Sequence, residues 1–308
     1  MTEQIIKIQN IALQMERNGR TPKTVQTITK TLKRLAKVCN LNNPEEVKAE
    51  IAHYIKNNGR LPTNNYRNKM AEAYNRYCNY YQIEWEKPHY TKEDRAIIPP
   101  TKQRIEILIA SAKNPMSLKL DISYRTGYRP IEIAGNKGLT VRDFDPTQKT
   151  LTARITKGCN ARPPVKIGDQ LTTKLQAYIQ EHNLKSDDLL FPSNTSDRYT
   201  NGFIKFKKRL AKKLNDPTIA NIRLYDIRHA YTTRKLLQYN NAETVRIIMG
   251  HKCLNTTQRY LHLLNLEDGE WIVEGTTDKK RVQELLEQDY THQLTTPDGT
   301  MMFRKRKT

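Results

Sequence analysis

Between Leu224 and His262 the chain gathers the side chains of phosphate chemistry. Tyr225, Arg228 and His229 stand three and four positions apart in Leu224-Tyr-Asp-Ile-Arg-His, so a helix would carry them on one stripe. Gly250-His251 follows, and then Thr256-Thr-Gln-Arg-Tyr260-Leu-His262. A planar guanidinium donates two parallel hydrogen bonds to phosphate oxygens. A tyrosine becomes a covalent nucleophile once its proton has somewhere to go.

Further upstream lie Thr126-Gly-Tyr-Arg129-Pro-Ile-Glu132 and Thr156-Lys157-Gly158. These pieces, in this order and at this spacing, resemble the active site of the tyrosine recombinases (the phage-integrase family). That family carries Thr-Gly-x-Arg-x-x-Glu, a hairpin lysine, His-x-x-Arg-His, Gly-His and a nucleophilic Tyr. The resemblance covers roughly residues 103–265. It departs at Tyr225, where most members have His and archaeal relatives have Lys or Tyr. It implies a catalytic set of Arg129, Lys157, Tyr225, Arg228, His251 and Tyr260, supported by Glu132 and His229. In that scheme Tyr260 attacks a DNA phosphodiester, forming a 3′-phosphotyrosyl link and releasing a 5′-hydroxyl. Arg129 and Arg228 hold the non-bridging oxygens, and Lys157 protonates the leaving oxygen. His251 hydrogen-bonds a phosphate oxygen and packs against the nucleophile. Tyr225 is a poor base near neutral pH, its phenol pKa being about 10. His229 is placed to accept the tyrosine proton or to orient the phosphate, and proton acceptance therefore falls more heavily on it.

These residues need elements to position them. Leu224, Ile227 and Tyr231 form an apolar stripe, so residues 224–238 read as a helix that buries one face and presents Tyr225, Arg228 and His229 from another. Helical patterns also run from Thr101 to Pro115 and from Met116 to Thr126, where Gly127 breaks the second. Pro130 suits a helix start, which would put Arg129 at a helix N-terminus already favourable to an anion. Residues 139–167 switch to strand-like alternation over 139–144, 151–155 and 165–167. Lys157 ends the second of these runs, with Lys149 and Lys166 as nearby competitors for its place. Residues 171–181 and 200–214 read as helices. The second is strongly basic, and Lys205 and Lys208 on it are either DNA contacts or part of a solvated face.

Residues 1–86 read as four helices, with Gly19, Thr21-Pro22, Asn43-Pro44 and Asn57-Asn58-Gly59 as punctuation. Lys30, Lys33, Arg34 and Lys37 are candidate phosphate contacts, against the alternative of a solvated face. The tyrosines 66, 74, 77, 80 and 81 read as packing. These helices resemble the family's core-binding domain. Residues 87–100, with prolines at both ends, read as an interdomain linker. Residues 266–308 read as a strand from Trp271, a helix over 279–287 and a hairpin at Pro297-Asp-Gly, and they resemble a small appendage of archaeal relatives. Arg304-Lys-Arg-Lys reads as a disordered basic tail. The fold class is mainly α (α+β): a helical core-binding domain over 1–86 and a mixed α/β catalytic domain over 101–265 with a small three-stranded sheet.

The chain has 308 residues and a formal net charge of +21, with 53 Lys and Arg against 32 Asp and Glu. Such a charge calls for a polyanionic partner, nucleic acid first and an anionic membrane surface second. No apolar run approaches the roughly 20 residues of a membrane span, and no signal-peptide pattern opens the chain. The expectation is a soluble cytoplasmic protein on double-stranded DNA, without a membrane role. Cys39, Cys78, Cys159 and Cys253 lack metal-ligand spacing and read as incidental thiols. There is no Gly-x-x-x-x-Gly-Lys-Ser/Thr loop and no carboxylate cluster for Mg²⁺, so neither cofactor nor metal is expected. The functional reading is a site-specific DNA recombinase that self-associates into a tetramer on DNA. Its alternatives are a type IB topoisomerase-like nicking-closing enzyme and a noncatalytic DNA-binding regulator.

Overall fold

The computed structural model describes residues 2–55, 59, 61–91, 97–153, 160, 162–192, 196–261 and 271–306. The chain divides into two compact units, residues 1–96 and 97–308.

The first unit is helical: α1 (Thr2–Arg17), α2 (Pro22–Leu35), α3 (Pro44–His53) and α4 (Asn64–Tyr81). The starts of α2 and α3 have local causes. Pro22 and Pro44 sit at first-turn positions, and the Asn43 side chain accepts from the N–H groups of Glu45 and Glu46. Apolar residues at helical spacing close the core, with Ile8, Ile11, Leu32, Leu35, Val47 and Ile51 buried around Tyr74 and Tyr77. The Tyr74 hydroxyl donates to the Leu41 carbonyl at 2.9 Å, and Trp85 meets the Tyr74 ring edge-on at 4.7 Å. The stretch that reads as a linker begins on this unit. Asn68 donates to the Tyr90 carbonyl and accepts from the Tyr90 N–H, and Lys87 pairs with Glu72.

The second unit opens with α5 (Lys102–Ser111), α6 (Met116–Thr126) and the single-turn α7 (Pro130–Ile133). A 3-10 turn over Val141–Asp143 leads into the antiparallel strands β1 (Phe144–Asp145), β2 (Thr150–Leu151) and β3 (Val165–Lys166), in the order β1-β2-β3. The strand-like alternation over 139–144 is therefore mostly not a strand. The Asp143 carboxylate takes both the backbone N–H and the hydroxyl of Thr140, at 2.7 Å each, and winds the segment into a turn. Then come α8 (Asp169–Glu181), α9 (Ser196–Lys213), α10 (Pro217–Asn221), α11 (Leu224–Tyr239), α12 (Ala242–Met249) and α13 (Asn255–Gln258).

The last elements are β4 (Trp271–Thr276), α14 (Lys279–Glu287), β5 (Thr291–Thr295) and β6 (Met301–Arg306), with sheet order β4-β6-β5. Arg304 and Lys305 are not a loose tail. They pair with Val273 and Ile272 of β4, and Phe303 of the same strand is buried. Among the described residues no helix is long and apolar enough to cross a membrane.

Helix α11 lies between two apolar clusters. Leu224 and Ile227 belong to the main core with Leu120, Ile122 and Tyr128, whereas Tyr231 and Leu236 pack with Val245, Met249 and Tyr260. Asp226 fixes the start of α11 by folding back to accept from the Arg223 N–H at 2.8 Å. Tyr128 then locks the α6–α7 corner to the sheet. Its hydroxyl donates to the Leu151 carbonyl at 2.6 Å and accepts from the Ala153 N–H at 3.1 Å. Tyr128→Phe strands both buried backbone groups, so it should lower unfolding free energy by about 2 kcal/mol. Urea denaturation measures this, and an unchanged midpoint would contradict the proposed lock.

Candidate active site

Arg228 is the centre of the site and is fully buried. Its Nη1 donates to the Gly127 carbonyl, and its Nη2 donates to the Met249 carbonyl and to His251 Nε2, both at 3.1 Å. The expected exposed stripe on α11 is thus split. Arg228 points into the protein, while Tyr225 is 42% exposed and stands edge-on to the His229 ring at 5.1 Å. Burial and the neighbouring Arg129 lower the Arg228 pKa to about 10, so the guanidinium stays charged at neutral pH. Its Nε has no hydrogen-bond partner among the described residues.

Two glycines make this possible. Gly127 ends α6 in the left-handed region, φ +63°, which frees its carbonyl for Arg228. A Cβ there would lie 2.4 Å from Cδ1 of Tyr231. Gly250 ends α12 at the same φ and turns the chain into His251.

The buried His251 has both ring nitrogens engaged. A guanidinium only donates, so Nε2 is the acceptor from Arg228 and the proton sits on Nδ1, 2.8 Å from the Thr257 hydroxyl. The ring therefore spends Nε2 on Arg228 instead of presenting an N–H to a phosphate oxygen. Burial, then Arg228, Arg129 and Arg162, depress its pKa to about 3.

Tyr260 is 3% exposed, and its hydroxyl lies 2.6 Å from His229 Nδ1. Its backbone N–H donates to the Thr257 carbonyl at 3.0 Å, so one threonine braces both His251 and Tyr260. Burial raises the phenol pKa, and Arg228 offsets part of the rise. His229 is pushed down to about 4, by burial first and then by Arg223, Arg228 and Arg259 against the opposing Asp226. An uncharged imidazole thus sits against the phenol.

Arg129 caps α7, but that helix has one turn, and the Arg129 N–H is already taken by Glu132 Oε2 at 2.7 Å. The expected anion site at a helix N-terminus is therefore absent, because Glu132 folds back over it. Glu132 Oε1 holds Arg129 Nη1 at 2.9 Å, and Oε2 also accepts from Arg162 Nη2 at 2.5 Å. Burial opposes the ionised carboxylate, but Arg162, the Arg129 N–H and Arg228 outweigh it and keep the pKa low.

The sequence reading missed Arg162, Thr257 and the Gly127 carbonyl. The cues to Arg162 in the sequence are proximity to Lys157 and the following Pro163-Pro164, and neither signals burial. Lys157 and His262 lie outside the described residues.

The other basic candidates are on or just beyond α2 and on α9. On α2 and just beyond it, Lys30, Lys33 and Lys37 are exposed. Arg34 is instead held among aromatic rings, donating to the hydroxyls of Tyr54 and Tyr66. On α9, Lys205 and Lys208 are exposed, whereas Lys207 is buried and donates to the Ile222 carbonyl at 2.5 Å.

The two histidines predict an acid sensitivity. Unfolded imidazoles bind protons below about pH 6.5, whereas His229 and His251 resist protonation until about 4 and 3. The unfolded chain then binds more protons, so stability is intact above pH 6.5 and falls as pH drops toward those values. Thermal melts from pH 6.5 to 5 should show a falling midpoint, with a shallower slope in His251→Gln. A flat midpoint across that window would contradict the assignment.

The Phage integrase family model matches residues 100–267. Among curated proteins, the chain is 29% identical over 149 residues to the tyrosine recombinase XerD of Yersinia pestis, covering 47% of this chain and 48% of that protein. It is 28% identical over 159 residues to the tyrosine recombinase XerA of Saccharolobus solfataricus, covering 52% and 50%. The chain thus spans about half the length of the curated relatives it matches. Among solved structures, the Tn1549 transposon integrase in complex with a circular intermediate DNA superposes with a TM-score of 0.63 at 15% identity, covering 92% of this chain and 98% of that one. A lambda integrase dimer bound to a COC′ core site gives 0.62 at 11% identity, covering 86% and 97%. At these identities the superpositions speak for the fold, and the family match, over more than half of the chain, speaks for descent: this chain belongs to the phage integrase family.

Proposed function

We propose that this protein is a site-specific recombinase that cuts and rejoins double-stranded DNA with Tyr260 as its nucleophile. The reading is carried by the 2.6 Å contact between the Tyr260 hydroxyl and an uncharged His229. With the ring proton on Nε2, His229 Nδ1 accepts the phenol proton as the oxygen attacks phosphorus. The bond from phosphorus to the 5′-oxygen breaks, the 3′-phosphate stays on Tyr260, and Lys157 supplies the proton that makes the leaving group a hydroxyl. The phosphotyrosyl link conserves the energy of the broken ester, so resealing draws on no nucleotide.

Charge gathers on the non-bridging oxygens during this displacement. Arg129 and the Arg228 Nε–H are the donors proposed for them, and the exposed Tyr225 phenol adds a hydrogen bond in place of the family's usual histidine. His251 acts through Arg228. Preorganised donors of this kind lower the barrier without reorganising at the moment of reaction. Exchange between two duplexes needs four active sites, so the protein is read as a tetramer on DNA. Lys30, Lys33, Arg34, Lys37, Lys205 and Lys208 are proposed as phosphate contacts, Arg34 with its Nη1 already engaged by Tyr54 and Tyr66.

Incubation with supercoiled DNA carrying candidate sites, quenched with detergent, should yield protein-linked fragments that share one sequence. Tyr260→Phe should bind the same DNA and yield none. Adducts from the variant would overturn the assignment, and adducts scattered at random would favour a nicking-closing topoisomerase. Replacing Lys30, Lys33 and Lys37 with Gln should flatten the salt dependence of binding by about 0.9 for each phosphate that is no longer neutralised. An unchanged slope would remove α2 from the interface.

A further inference from the structure

We propose that Arg162 is a positioning residue of this active site, one that sets the Arg129 guanidinium through a shared carboxylate and seats the Gly250–His251 turn. The Arg162 side chain is 2% exposed, so it acts on substrate only through its neighbours. Those neighbours come from both halves of the site.

On one side is Glu132. An isolated arginine and carboxylate favour a two-pronged pairing. Here Oε2 of Glu132 accepts from Arg162 Nη2 and from the Arg129 backbone N–H, while Oε1 accepts from Arg129 Nη1. Without Arg162, the carboxylate loses the 2.5 Å contact that helps fix its plane, and with it the setting of the Arg129 guanidinium on Oε1. That would turn a guanidinium proposed to meet phosphate away from its set direction.

On the other side is the turn that delivers His251. A Cβ on Gly250 would meet Cγ of Arg162 at 2.7 Å and Cδ at 2.9 Å, so the stem of Arg162 lies flat against the bare glycine. Asn160 donates its N–H to the Gly250 carbonyl at 3.2 Å, fastening the same strip of chain from its other end. The guanidinium also lies over the Tyr128 ring at 4.6 Å. Arginine is specified by this combination: a planar cation that stacks, pairs sideways and lays its Cγ and Cδ methylenes against a backbone. Lysine keeps the charge but neither the stacking plane nor the fork.

The energetics point the same way. Arg162 Nη1 is buried and has no hydrogen-bond partner among the described residues. A buried cation with an unmet donor is a poor choice for stability alone. It is understandable where the charge must stand beside Arg129 and Arg228 to favour an incoming anion.

This inference rests on the reading of Tyr260 as nucleophile, and the wild-type protein separates the two: absence of a wild-type adduct removes that reading, whichever way Arg162 behaves. Given a wild-type adduct, single-turnover adduct formation at saturating DNA is compared in Arg162→Lys, Arg162→Gln, Glu132→Gln and the double variant Arg162→Lys/Glu132→Gln. DNA affinity and melting temperature are measured beside it. Arg162→Lys should slow the reaction by about 10²-fold while leaving affinity within roughly threefold. The double variant should be no slower than Glu132→Gln, because both changes break one linkage. A wild-type rate in Arg162→Lys, or losses that multiply in the double variant, would overturn the proposal. Should Arg162→Gln not fold, Arg162→Lys carries the same test.

Discussion

The buried guanidinium of Arg228 is the interaction on which the candidate site depends. Its donors reach the carbonyl at the end of α6, the carbonyl at the end of α12 and the ring of His251. Three chain segments far apart in sequence thus converge on one planar group, and the two helices that deliver its carbonyl acceptors each stop at a glycine. Arginine suits this position because it offers several donors in a rigid plane and keeps its charge on burial. Burying such a charge is costly unless every neighbour is placed to receive it. The left-handed glycines, the tautomer of His251 and the seat of Thr257 are best understood as conditions for that burial.

Charge balance sets what the site can hold. Arg129 and Arg162 both pair with the carboxylate of Glu132, Arg228 lies close enough to add its charge, and both histidines are uncharged at neutral pH. The described cluster therefore carries an excess of positive charge. That excess works against folding stability and in favour of an anion, the usual exchange at a preorganised site. Neutral His229 follows from the same field: the surrounding arginines that favour a phosphate also keep a proton off the imidazole, leaving it able to take one from Tyr260.

Much of this was legible in the sequence because it is local. The run from Met116 to Thr126, broken by Gly127, marks α6. Asn43-Pro44 marks the start of α3, and α14 runs over the residues that its spacing suggests. What was not legible depends on partners distant in sequence. Arg162 is buried because Glu132, thirty residues earlier, supplies a carboxylate. Lys207 sits in a run of lysines, yet it is withdrawn from solvent by one carbonyl beyond the next helix. Arg304 and Lys305 look like a charged tail but find hydrogen-bonding partners in β4. Strand-like alternation at 139–143 gave way to a short-range competitor, the Asp143 side chain. Charge and alternation describe a residue's preference, and a single tertiary contact is enough to override it.

The central claim is that one phenol, buried against a neutral imidazole, carries the covalent chemistry. Its most direct test is to digest the detergent-trapped protein–DNA complex with protease and nuclease and to sequence the nucleotide-bearing peptide by mass spectrometry. The account predicts a single modified residue, Tyr260, bearing a nucleotide through its 3′-phosphate. A nucleotide on Tyr225 or any other side chain, or one attached through its 5′-phosphate, would contradict it.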